Sequence, residues 1–174
     1  MTFHKDLLDH AKELVPDAGR PRRVLLVRAI STAYYSVFHL LIANATRRVD
    51  DLQPEVSRWF GHDRMKAVCG WFGSRGEVHK KVAPLLAYPR PGRVPPELSE
   101  LADIFVDLQE ARHRADYDLG YRPSKQDVSN LIESAEHAHD RSVARWEPNV
   151  RALRPVASHR RGCHHQPVSG HLTV

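Results

Sequence analysis

Between Glu97 and Tyr117 the apolar residues Leu98, Leu101, Phe105 and Leu108 recur at steps of three, four and three, the period of a helix with one face turned to a core. The same phase then reaches Arg112 and Ala115, so an arginine stands where that face should be greasy. A guanidinium withdrawn from water needs an anionic partner, because a buried, unpaired charge costs several kcal/mol. Asp116, one turn further on at the edge of the same stripe, is the nearest such partner. Arg112 therefore has two readings. It is the cation of an internal ion pair, or it opens into a cleft between helices or across a dimer seam and binds a phosphate there.

The rest of the chain also patterns as helices. Thr2 is placed to cap a first helix whose Phe3, Leu7, Leu8, Ala11, Leu14 and Val15 share one stripe, and Pro16 ends it. The longest element is predicted from Pro21, at a first helical position, to about Arg48. Its core face is Leu26, Ile30, Ala33, Tyr34, Val37 and Leu41, with Arg28, Thr32, Tyr35 and His39 stepping along the opposite side. That second stripe is chemically mixed, as interface surfaces tend to be. After a Gly61-His62-Asp63 break, Met65, Val68 and Phe72 predict a helix near 63–73, and Val78, Val82 and Leu85 a short further one. Tyr88 to Pro96, reading YPRPGRVPP, is a loop. Ser124 and Asp127 form a capping pair at the start of a last helix near 125–147, which turns Val128, Leu131, Ile132, Ala135, His139, Ser142 and Trp146 to one side. His139 reads as a satisfied core histidine. With no convincing strand, internal repeat or glycine-rich phosphate loop, the expected fold is all-α, an antiparallel bundle of four to five helices over residues 1–147.

The net charge of +5 invites a nucleic-acid reading, but its distribution tempers that. Residues 148–174 carry Arg151, Arg154, Arg160 and Arg161 and no acid, and without those four arginines the body is close to neutral. This basic, His/Arg-rich end reads as a solvated, disordered tail. The opening MTFHKDLLDHAKELV has acids and an amphipathic pattern, unlike a secretory signal. No apolar stretch is expected to approach membrane-spanning length, which points to a cytoplasmic protein with no membrane contact. Cys69 and Cys163 supply no disulfide framework. The tail groups His159, Cys163, His164, His165 and His171 match no structural metal spacing, so neither a metal nor another cofactor is expected.

Three pieces in order carry a resemblance to a family: AYYSVFHLL in the long helix, GHDRMKAVCGWF, and RHRADYD closing the helix before a capped last one. Together they resemble the HEPN superfamily, and within it the small stand-alone bacterial proteins whose signature ends in an arginine and Ala-Asp-Tyr. Arg112, Asp116 and Tyr117 match that signature, and the resemblance covers roughly residues 3 to 147. It implies a helical bundle that often dimerises and a link to RNA or nucleotides. It also implies a toxin–antitoxin-type setting with a small nucleotidyltransferase as partner, for which Tyr117 would be a modification target by analogy.

Several HEPN groups are similar to metal-independent endoribonucleases with an arginine followed by a histidine, about four to six residues lying between them. This chain departs from that pattern: the histidine positions counted from Arg112 hold Tyr117, Asp118 and Leu119, and those from Arg114 hold Leu119, Gly120 and Tyr121. The spacing recurs only in the tail, as Arg154 with His159 and Arg160 with His165, where no rigid element holds an acid–base pair in register. The expected function is thus a binding or regulatory module acting with a partner protein or a nucleotide or RNA ligand, as a homodimer or heterodimer. Arg112, Asp116, Tyr117, Arg28, Tyr35 and His39 are its candidate binding residues. The alternative is an endoribonuclease in which Arg112 works with a sequence-distant imidazole, His39 or His62.

Overall fold

The computed structural model describes residues 2–16, 18–47, 54–55, 58–73 and 94–149, the last seven of these by their backbone. Among them are five α-helices and no strand: α1 (Phe3–Glu13), α2 (Arg23–Thr46), α3 (His62–Phe72), α4 (Pro96–Tyr117) and α5 (Lys125–Asn149). The all-α expectation holds. The short helix anticipated around Val78 to Leu85, the proline-rich loop up to Gly92 and the tail beyond Asn149, with its cysteine and histidines, lie outside the described residues.

α2 is the axis of the bundle, with α1, α4 and α5 packed around it and α3 resting on α4. Ser31 of α2 meets Asp116 of α4, and Phe38 meets Phe105, so these two helices run in opposite directions. Lys12 of α1 pairs with Glu136 of α5 while His4 lies against His139, which sets α1 against α5 in the same sense. Asn44 donates to Ser142, and Arg23 reaches back to the carbonyls of Leu119 and Tyr121 at 2.8 and 3.0 Å, so α2 and α5 run alongside each other.

A helix at the centre of a bundle has no wet side, and α2 is apolar nearly all round. Besides Leu26, Ile30, Ala33, Tyr34 and Val37 it buries Ala29, Phe38, Leu40 and Ile42, each large aliphatic contributing about 1.5–3 kcal/mol. This corrects one expectation. By length and composition α2 is apolar enough to cross a membrane, although the most apolar window is 61% buried inside the bundle, as in the core helix of a soluble protein. The supposed outer stripe is corrected as well: Arg28 is exposed, but Tyr35 and His39 are half-buried against neighbouring elements.

Several boundaries shift for local reasons. Arg22 is extended, with ψ of 145°, so α2 starts at Arg23 and Pro21 remains in the connection. Thr2 occupies the N-cap of α1, yet its hydroxyl makes no capping bond; only its carbonyl is used, by the amides of Lys5 and Asp6. α3 turns Met65 and Cys69 inward and leaves Val68 39% exposed, an i, i+4 pair in place of the expected i, i+3 pair. Burial pushes the Cys69 thiol up to about 12, which removes its nucleophilic character. The capping pair is formed as expected: Asp127 N–H donates to Ser124 Oγ at 3.1 Å, and Ser124 N–H to Asp127 Oδ2 at 3.2 Å.

Candidate functional site

On a helix, positions i, i+3, i+4 and i+7 share a face, and in α2 that spacing is filled by Ser31, Tyr34, Tyr35 and Phe38. α4 presents Gln109, Arg112 and Asp116 to it, and α3 contributes its first residue, His62. Three helices thus converge on Arg112.

Arg112 Nε lies 2.6 Å from Asp116 Oδ2, and the two side chains are only 20% and 25% exposed. The contact is close, but the Nε–H is not aligned on the carboxylate for a hydrogen bond. The other oxygen, Oδ1, accepts a 2.7 Å hydrogen bond from Ser31 Oγ, which fixes the carboxylate from the neighbouring helix. Around the guanidinium stand three tyrosine rings: Cζ is 5.9 Å from the ring centres of Tyr34 and Tyr35 and 5.7 Å from that of Tyr117. Burial alone would favour the neutral form. The Asp116 carboxylate and the tyrosines overcome it, and the Arg112 pKa stands above its ordinary value.

Tyr34 is fully buried and shares a 2.6 Å hydrogen bond between its hydroxyl and His62 Nδ1. Burial pushes the Tyr34 phenol far above its usual range, partly offset by the Arg112 charge. Burial, and then the same Arg112 charge, lower the His62 pKa. The buried phenol O–H finds its acceptor among the described residues in Nδ1, so Tyr34 donates, Nδ1 accepts and the proton of the neutral ring sits on Nε2. The His62 ring is further held by a 4.3 Å stack on Phe38 and an edge contact with Tyr35, and its carbonyl accepts from Gln109 Nε2 at 3.3 Å.

Of the candidate residues, Arg112, Asp116, Tyr35, Tyr117 and His62 come together. Tyr117 is 65% exposed and packs on His113, so it forms the outer wall. His39 sits one step away, with Phe3, Phe38 and Tyr35 around its ring, and its pKa is lowered by burial and then by His62. Arg28 does not join the cluster; its carbonyl accepts from Thr32 at 2.8 Å. Ser31, Tyr34 and Gln109 were not foreseen as site residues. A serine and a tyrosine on a core face read as packing, although the 31, 34, 35, 38 spacing marked both as neighbours of Tyr35.

His139 corrects another expectation. It is 4% exposed, as a core histidine should be, but among the described residues its Nε2 has no hydrogen-bond partner, and neither has Nδ1 of His4, whose ring centre is 5.2 Å away. Among the described residues no group of three or more acidic, histidine or cysteine side chains is placed to hold a metal ion.

Chemically, the Arg112 cluster offers a cation, an imidazole N–H and tyrosine faces. These are donor and stacking groups, suited to recognising a phosphate or a base. The imidazole's own proton acceptor, His62 Nδ1, is engaged by Tyr34. Comparison of the chain with protein-family models, with curated proteins and with solved structures finds no match.

Proposed function

We propose that this chain is a helical binding or regulatory module of the HEPN type, acting with a partner protein or with a nucleotide or RNA ligand. The observation that carries this reading is the setting of Arg112: it is paired with Asp116 and ringed by three tyrosines, its Nε–H makes no hydrogen bond among the described residues, and the imidazole beyond it shares its Nδ1 with Tyr34. A guanidinium held this way is a preorganised recognition element, with exposed Tyr117 beside it as a stacking surface for a base. In this proposal the protein is cytoplasmic and works as a homodimer or with a small nucleotidyltransferase, as one component of a toxin–antitoxin-type pair.

The second reading is a metal-independent endoribonuclease. It is favoured by one observation, the Tyr34 hydroxyl bonded to His62 in a ring that also lies against Arg112, which joins a cation and an imidazole through one side chain. Titration of the purified chain with end-labelled single-stranded RNAs and with ATP, in chelator, separates the two. Binding with the RNA left intact, weakened about tenfold or more by Tyr117→Ala, is the expected result. Cleavage of any RNA that follows the protein through purification would favour the nuclease.

A further inference from the structure

Phe3, Phe38, Ile42 and Ala43 line an open cleft of about 480 Å³ between the start of α1 and the second half of α2. That volume is within the range of small-molecule sites, about 300–1,000 Å³. Among the described residues the charged side chain of the lining is Arg58, which is exposed and has no acidic partner there; His39 and His4 line the cleft as well. Neither ring nitrogen of His39 is hydrogen-bonded among the described residues, and Nδ1 of His4 is buried without a partner. Among the described residues no carboxylate lines the cleft. Phe3, one of the lining residues, is 61% exposed.

We propose that this cleft binds a small aromatic anion, a flat ring system carrying one phosphate or one carboxylate. The ring packs against the exposed Phe3 and the apolar lining of Ile42 and Ala43, where offset or edge contacts with Phe3 are favourable. The anionic group meets the Arg58 guanidinium, whose planar fork matches either oxyanion, while imidazole N–H groups serve as neutral donors. The cleft adjoins the Arg112 cluster, since Phe38 lines it and also stacks on His62, but Arg58 and Phe3 take no part in that cluster.

Calorimetric titration of the full chain tests this with four probes: 1-naphthyl phosphate, 1-naphthoate, 1-naphthol and inorganic phosphate. The expected result is one-to-one binding of at least one naphthyl anion, about tenfold or more tighter than 1-naphthol and than inorganic phosphate. The two anions, compared with each other, tell phosphate from carboxylate. Arg58→Ala should weaken that binding about tenfold or more, Ala43→Trp should abolish it by filling the cleft, and Arg64→Ala, which removes an exposed cation on α3, should leave it unchanged. Arg58 is exposed, so its loss tests recognition without endangering the fold. No binding of either anion, equal binding of 1-naphthol, or affinity untouched by Arg58→Ala would each overturn the proposal.

Discussion

Ser31 and Asp116, 85 positions apart in the chain, are joined by a 2.7 Å hydrogen bond that ties the middle of α2 to the last turn of α4. The hydroxyl takes one carboxylate oxygen and leaves the other to Arg112, so the serine acts on the arginine through a shared anion. Ser31→Ala should therefore cost about 1 kcal/mol, the usual worth of a hydrogen bond to a partly buried charge once water has replaced what it can. A double-mutant cycle of Ser31→Ala with Asp116→Asn, read by denaturant unfolding, should give a coupling of about 0.5 kcal/mol or more. Strict additivity would mean that the serine does not position the carboxylate.

The Arg112 charge is one of the influences holding the His62 pKa down, after burial. Arg112→Ala should therefore raise the His62 pKa, and Arg112→Lys should change it less. The His62 ring resonances, followed by NMR as a function of pH, read this directly. An unchanged titration would mean that cation and imidazole are not electrostatically joined.

The buried imidazole of His139 gives the fold an acid-sensitive point. Burial, followed by the charges of His4 and Lys5, lowers its pKa to about 4, against 6.5 for an ordinary histidine. Above pH 6.5 the group is neutral in both folded and unfolded chains and has no effect on the balance. Between pH 6.5 and 4 the unfolded chain takes up the proton first, so stability falls as the pH drops, by a total on the order of 3 kcal/mol. His139→Leu should flatten that part of the stability–pH curve. If the variant keeps the same slope, the acid sensitivity resides in other groups.

How far the sequence anticipated these arrangements follows from what each signal encodes. Apolar periodicity marked all five helices, because a helix packed on one side must repeat its core residues every three or four positions. It also placed Arg112 inward with Asp116 as its partner, since both lie on one helix and their spacing is local. Contacts between helices were less accessible. Nothing local to Ser31 or Tyr34 reveals that their hydroxyls meet Asp116 and His62, because both bonds depend on how three helices cross. α2 misled in a further way: a central helix is packed on most sides, so dividing it into an inner and an outer stripe missed that Tyr35 and His39 are half-buried. His139 was recognisable as buried, but whether its second ring nitrogen finds a partner depends on α1, and there it meets the equally unsatisfied His4.

Arg112 is where the binding and nuclease readings part, and its replacement by alanine, scored for stability and RNA cleavage on the same preparations, decides between them. With Arg112 as part of the bundle's own framework, Arg112→Ala leaves Asp116 and the tyrosine faces without their cation. Unfolding in denaturant should then show a loss on the order of 1–4 kcal/mol. Arg112→Lys should recover only part of it, because an ammonium lacks the flat face that lies against the rings. Wild-type protein at high concentration, in chelator, should leave every member of a single-stranded RNA panel intact. The contrary result is an Arg112→Ala protein as stable as wild type, with wild-type cleavage that falls by about 100-fold or more in the variant, as when a transition-state donor is removed.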